Sequence, residues 1–143
     1  KKKQVFDDDL IALVDDQLSA IGERISFEKL RVVAGSEGPQ TADLSVLVDG
    51  ESHSITTEGN GPVDAVFNAI RQIVPHQGKL DLFQVSAVTG GTDAQADVHV
   101  RLKGEGIMAT GRSSDPDTLV AAAKAYIHAL NKLEARRLKR KAA

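Results

Sequence analysis

Residues 42–51 read ADLSVLVDGE, and residues 96–105 read ADVHVRLKGE. In the first stretch Ala42, Leu44, Val46 and Val48 alternate with Asp43, Ser45 and Leu47. That period of two places one face of a strand against a core. Asp49-Gly50 follows, a pair that tolerates positive φ and predicts a tight hairpin into a returning strand over 51–57. The second stretch restates the first at a separation of 54 residues (96 − 42). The same spacing pairs Val46 with Val100, Gly50 with Gly104, Glu51 with Glu105, Thr56 with Thr110, Pro62 with Pro116, Val66 with Val120 and Ala69 with Ala123. It predicts strands over 96–102 and 105–110, joined by a turn at Lys103-Gly104.

Working outward, Gly59-Asn60-Gly61-Pro62 opens a helix. Proline costs little at the first helical position, where its missing N–H would be unpaired anyway. Val63, Val66, Phe67, Ile70, Ile73 and Val74 form the apolar stripe of that helix, which Pro75 and Gly78 end. Residues 27–34 precede the first hairpin, with turn residues at 35–39; residues 80–88 take the same place in the second half, with a turn at 89–93. Ser114-Asp115-Pro116 is expected to cap a long final helix carrying Leu119, Ala123, Tyr126, Ile127, Leu130 and Leu133, with Ser113-Ser114 serving as capping residues. An N-terminal helix over 7–20 starts at Asp7-Asp8-Asp9, which complement its dipole, and stops near Gly22. The expectation is an α+β fold of two pseudo-symmetric βββα units, 26–78 and 79–143, preceded by a linker helix within 1–25. Neither unit is large enough to bury its own sheet and helix faces, so the two share one core.

Composition narrows the function. The 143 residues carry a net charge of −2, no Cys, no Trp and one Tyr. Thiolate chemistry and disulfides are excluded, and stacking platforms for single-stranded nucleic acid are disfavoured. No apolar run approaches the roughly 20 residues that span a bilayer, and no signal peptide is apparent, so a cytoplasmic location is expected, with no membrane or nucleic-acid partner. The basic tail Arg136-Arg137-Leu138-Lys139-Arg140-Lys141 reads as a helix end whose cations complement the dipole, with contact to nucleic acid or an acidic partner as the alternative. His53, His76, His99 and His128 lack metal-motif spacing, and no nucleophile, phosphate loop or dinucleotide fingerprint is present. The first residue is Lys and the one Met is Met108, which suggests a fragment.

The sharpest local feature is Gly59-Asn60-Gly61-Pro62. Two readings stand side by side. One is a tight strand-to-helix turn that needs glycine for geometry alone. The other is a carboxylate site, in which the free N–H groups and positive dipole end of the helix hold an amino acid.

Residues 59–67, Gly-Asn-Gly-Pro-Val-Asp-Ala-Val-Phe, resemble the first helix motif of the C-terminal regulatory domain of 2-isopropylmalate synthases and citramalate synthases. Lys2-Lys3-Gln4-Val5-Phe6-Asp7-Asp8-Asp9-Leu10 resembles the linker into that domain, and residues 123–133 resemble its final helix. The resemblance implies a dimeric pair of βββα units that binds the end product of the pathway: leucine for the first group of enzymes, isoleucine for the second. Binding would damp a TIM-barrel active site that condenses acetyl-CoA with a 2-keto acid. The fragment itself is then not an enzyme and carries no cofactor or metal; its partners are leucine, a second copy, and the catalytic barrel of its own enzyme. A dimerisation module without ligand is the remaining alternative. Carried over by position, Gly59, Asn60, Gly61 and Pro62 border the ligand, joined by Val63, Asp64 and Phe67. Thr110, Gly111 and Pro116 would close the site from the second repeat. There the sequence departs from the family, reading Ser113-Ser114-Asp115-Pro116-Asp117-Thr118 where an acidic residue and β-branched residues are usual.

Overall fold

The computed structural model describes residues 23–87 and 94–142. The expected helix over 7–20 and the turn at 89–93 lie outside them. In chain order the elements are β1 (Ile25–Val33), β2 (Gln40–Val48), β3 (Glu51–Gly59), α1 (Pro62–Ile73), β4 (Lys79–Ala87), β5 (Ala96–Gly104), β6 (Ile107–Asp115) and α2 (Thr118–Ala142). They form two antiparallel three-stranded meanders, β1-β2-β3 and β4-β5-β6, each followed by a helix. The twice-repeated βββα order expected from the sequence is therefore present.

The alternation in β2 has the expected phase. Ala42, Leu44 and Val46 are buried, as are Val98, Val100 and Leu102 on β5. Both hairpins turn through two residues of positive φ, Asp49 (53°) and Gly50 (83°) in the first, Glu105 (53°) and Gly106 (75°) in the second. This is the backbone whose twist suits a two-residue connection. The second turn therefore lies two residues beyond the expected Lys103-Gly104, and β6 runs on to Asp115 rather than stopping near Thr110. Ser113 and Ser114 belong to that strand and do not cap α2. The 54-residue spacing of the letters is out of step with the structure because the connection from β4 to β5 is two residues longer than that from β1 to β2. From β2 onward the structural repeat is 56 residues (118 − 62, the two helix starts), while β1 and β4 start 54 apart (79 − 25). Each first strand is bulged near its start, between Phe27 and Lys29 and between Leu80 and Leu82.

The helices are not equivalent. α1 packs chiefly on β2 and β3 and buries one stripe, Ala65, Val66, Phe67, Ala69 and Ile70. α2 lies on β5 and β6 and also reaches α1 and β1. Ala121, Ala122, Ala123, Ala125, Tyr126, Ile127, Ala129, Leu130 and Leu133 on it are all buried, so it serves both units. Small residues allow this close approach. A Cβ at Gly111 would fall 2.1 Å from the Ala125 carbonyl oxygen and 2.3 Å from Ala129 N, so the middle of β6 lies directly under the helix.

Polar contacts lock α2 to the first unit. The buried Asn131 amide donates to the Ile25 carbonyl (2.8 Å) and accepts from its N–H (3.1 Å). Arg24, just before β1, pairs with Glu134 (2.8 Å) and with Asp49 at the first hairpin (3.2 Å). No described helix is long and apolar enough to cross a membrane.

Candidate functional site at the start of the first helix

β3 ends at Gly59, and the chain folds back over the first turn of α1. The two glycines of the turn have different physical reasons. A Cβ at Gly59 would lie 2.4 Å from Ala65 N and 2.8 Å from Ala65 Cα, so close packing alone demands glycine there. Gly61 is the N-cap, with φ −159° and ψ 173°, an extended conformation open to any residue. Nothing lies within 4 Å of the position its Cβ would take. Glycine at 61 is therefore not required by the fold, and it leaves open the approach to the helix start.

The turn is braced from behind. The Thr57 hydroxyl donates to the Ala65 carbonyl (2.7 Å), and the Asn68 amide donates to the Glu58 carbonyl (3.0 Å). The Asp64 carboxylate accepts from Asn60 N–H (2.9 Å), one residue before the N-cap Gly61 whose N–H a capping box would use. Gly61 has no side chain to offer, and no side chain caps the first N–H groups of α1. Pro62 and Val63 are half-buried beside them.

The second unit solves the same problem differently. With the 56-residue repeat, Gly61 corresponds to Asp117, whose carboxylate accepts from Leu119 N–H (2.8 Å) and Val120 N–H (3.2 Å). Asp115 in turn accepts from Asp117 N–H (2.9 Å). The start of α2 is thus closed by a carboxylate of its own chain, and the start of α1 is not.

The other expected residues fall in different places. Phe67 is buried, its ring edge-on to Phe83 (5.5 Å between centroids) and tilted over Tyr126 (4.7 Å). It belongs to the core behind the turn. Gly111 faces α2, while its neighbour Thr110 is exposed on the opposite face of the sheet, so one surface cannot carry both. Pro116 is exposed in the turn before α2, two residues short of the position equivalent to Pro62. The structure brings Gly59, Asn60, Gly61, Pro62, Val63 and Asp64 together, whereas Thr110 and Gly111 face opposite sides of β6 and Pro116 lies in the turn before α2.

Tyr126 carries a connection that spacing did not reveal. Its hydroxyl meets His76 Nε2 at 2.9 Å, and His76 Nδ1 accepts from Gly78 N–H at 3.1 Å. An accepting Nδ1 places the proton of the neutral ring on Nε2, which donates to Tyr126. Burial, followed by the nearby Arg71 charge, lowers the His76 pKa, and burial raises that of Tyr126. No signal in the sequence pairs residues 50 apart; only the position of His76 between helix and strand hints at a joint.

Elsewhere, Asp97 on the outer face of β5 accepts from the Arg112 guanidinium (3.0 and 3.1 Å) and from Ser114 (3.2 Å). The Arg112 contact holds its pKa below the usual carboxylate value. Among the described residues no group of three or more His, Asp or Glu is arranged to hold a metal ion.

Comparison with known proteins agrees with the architecture. Residues 4–134 match the family described as the LeuA allosteric (dimerisation) domain. The chain is 60% identical over 139 residues to a 2-isopropylmalate synthase of Caulobacter sp. (strain K31), covering 97% of this chain and 26% of that protein. It is 55% identical over 133 residues to the 2-isopropylmalate synthase of Nitrobacter hamburgensis, covering 93% and 26%. The chain thus spans about a quarter of the length of these relatives.

Proposed function

The chain belongs to the LeuA allosteric (dimerisation) domain family, and from that premise we propose that it is the leucine-sensing regulatory part of a cytoplasmic 2-isopropylmalate synthase. Leucine, the end product, binds at the start of α1 and damps condensation of acetyl-CoA with a 2-keto acid on a catalytic barrel outside this fragment. The domain works as a homodimer and is not itself catalytic.

One observation carries this reading. The pseudo-symmetric helix starts differ in that Asp117 closes α2 with its own carboxylate, whereas Gly61 leaves the N–H groups of α1 uncapped and approachable. A ligand carboxylate at Gly61 would do for α1 what Asp117 does for α2, favoured by the same dipole. Gly59, Asn60, Gly61 and Pro62 form its border, and Val63 and Asp64 the first turn beside it. The naming of the relatives as 2-isopropylmalate synthases favours leucine over isoleucine.

The test is calorimetric titration of the domain with leucine, isoleucine and valine, on wild type and on Gly61→Asp. The variant places in α1 the carboxylate that α2 already has, in a backbone conformation that accepts it. It is expected to fold, to gain a few tenths of a kcal/mol in stability, and to lose leucine binding. Preference for isoleucine would reassign the effector. Undiminished leucine binding in a folded Gly61→Asp would remove the site from the helix start.

A further inference from the structure

Three segments meet at the far end of α2. They are the connection between the units (Pro75–Gly78), the second hairpin (Gly104–Ile107), and the turns of α2 bearing Leu133 and Arg137. Between them lies a cavity of about 320 Å³, at the small end of the roughly 300–1,000 Å³ typical of ligand pockets. Its walls are held close by glycine. A Cβ at Gly104 would sit 3.0 Å from the Gln77 carbonyl oxygen, and one at Gly78 would sit 2.6 Å from Leu133 Cδ2. Packing of this kind marks a preformed hollow rather than a gap between independent parts.

The lining is divided by chemistry. Ile107, Leu133 and Pro75 supply an apolar floor. Glu134 is committed to Arg24, and the His76 ring is committed to Gly78 N–H and the Tyr126 hydroxyl. Arg137 and Glu105 also line the cavity, and neither side chain is in an ion pair among the described residues. One uncommitted cation and one uncommitted anion over an apolar floor match a small zwitterion with an aliphatic body. Two glutamates in the wall, Glu105 and Glu134, oppose a phosphate. We infer that this cavity is a binding site for a free aliphatic amino acid, with its carboxylate on Arg137, its ammonium on Glu105 and its side chain on Ile107 and Leu133. The site is separate from the glycine-rich turn and does not depend on the reading of that turn. The two share a buried link, because the Tyr126 ring that holds His76 packs, tilted, against Phe67 of α1.

The test is NMR of the chain with labelled Ile and Leu methyls and backbone amides, titrated with leucine, valine and isovalerate. Wild type is expected to show saturable shifts at the Ile107 and Leu133 methyls and the Gly78 and Gly104 amides. Isovalerate, lacking the ammonium, should bind more weakly. Arg137→Glu should weaken binding about tenfold or more, the effect of losing one charged contact; Arg137→Gln serves as the milder variant should the first be unstable. Gly61→Asp should leave these shifts unchanged. Saturable shifts confined to residues 59–67, no shifts at all, or equal affinity in both Arg137 variants would overturn the cavity site. The first of these would leave the proposed leucine site standing, and cavity shifts without any at 59–67 would do the reverse.

Discussion

At the residue scale, two glycines show how one atom decides packing. Gly111 admits α2 onto β6, and a methyl group there has no space, since both nearest atoms belong to helix backbone. Gly111→Ala should force the helix outward and cost about 1–3 kcal/mol, read as a lower midpoint in urea with little change in slope. Gly61→Asp, with open space around it, should go the other way. His76 makes a pH prediction. Its folded pKa lies below the ordinary 6.5, so below 6.5 the unfolded chain takes up a proton that the folded ring refuses. The stabilising contribution is therefore complete above that pH and is lost as pH falls through the folded pKa. Melting curves should show wild type losing more stability than His76→Gln over that window, and parallel curves would dismiss the His76 contribution. Asp97 behaves alike further down, since its depressed pKa means its Arg112 contact is lost as pH falls below the usual carboxylate range.

These residues also show what the sequence could and could not reveal. Asp49-Gly50 is legible because both residues favour positive φ. In the second hairpin Glu105 takes the same conformation against its preference, and nearby Gly104 offers a better turn signal. Yet Gly104 is glycine for another reason, its contact with Gln77 and Gly78. A pattern of letters cannot tell a glycine that turns the chain from one that lets two segments touch. For the same reason Gly59 and Gly61 look alike in sequence and differ in structure. The βββα order was legible because alternation in β2 and β5 and the stripe of α1 report burial directly; of the candidate site, the sequence marked only the turn at the first helix.

At the element scale, α2 explains the basic tail. His128, Lys132, Arg136 and Arg140 are spaced by four and form one row along the helix. Four helical residues rise about 6 Å, close to the ~6.8 Å of two strand residues, so such a row keeps step with an adjacent strand. Arg112 N–H on β6 donates to His128 Nδ1 at 3.1 Å, Arg136 donates to the Met108 carbonyl, and Arg140 donates to the Glu105 carbonyl. The row supplies partners for the outer edge of β6 and for the hairpin turn before it; the edge would otherwise be a template for pairing with another chain. Charge reversal at Arg136 and Arg140 together should lower stability by about 1–3 kcal/mol and bring sheet-mediated aggregation, seen by light scattering. Lys139→Glu, on an exposed position of the same helix, is the control and should do neither. A double variant that stayed monodisperse and equally stable would show that the row is solvated charge after all.

For the whole molecule, the question is whether the two units are separable. The contacts between them run from the buried core to its rim. They include the Asn131 amide on both backbone groups of Ile25, the Arg24–Glu134 pair, the His76–Tyr126 bond, Lys124 over the Phe27 ring (5.4 Å), and the Phe67, Phe83 and Tyr126 cluster. Because α2 is buried against both units, removing either half would expose much of its apolar surface to water, at roughly 25 cal/mol per Å². Residues 23–78 and 79–142, made as separate chains, should each lack stable structure by circular dichroism and should regain it on mixing. Asn131→Ala should weaken that reassociation most, since it strands a buried N–H and a buried carbonyl, about 2–3 kcal/mol or more. Such interdependence is what a sensor requires. A ligand that binds only the assembled form adds about 2.7 kcal/mol at a hundred times its dissociation constant, and in a two-unit core that gain acts on the whole domain. Leucine should therefore raise a single melting transition by roughly 2–8 °C per kcal/mol. Two transitions, of which leucine shifts only one, would mean that the units fold apart and that binding at α1 has no route to the rest.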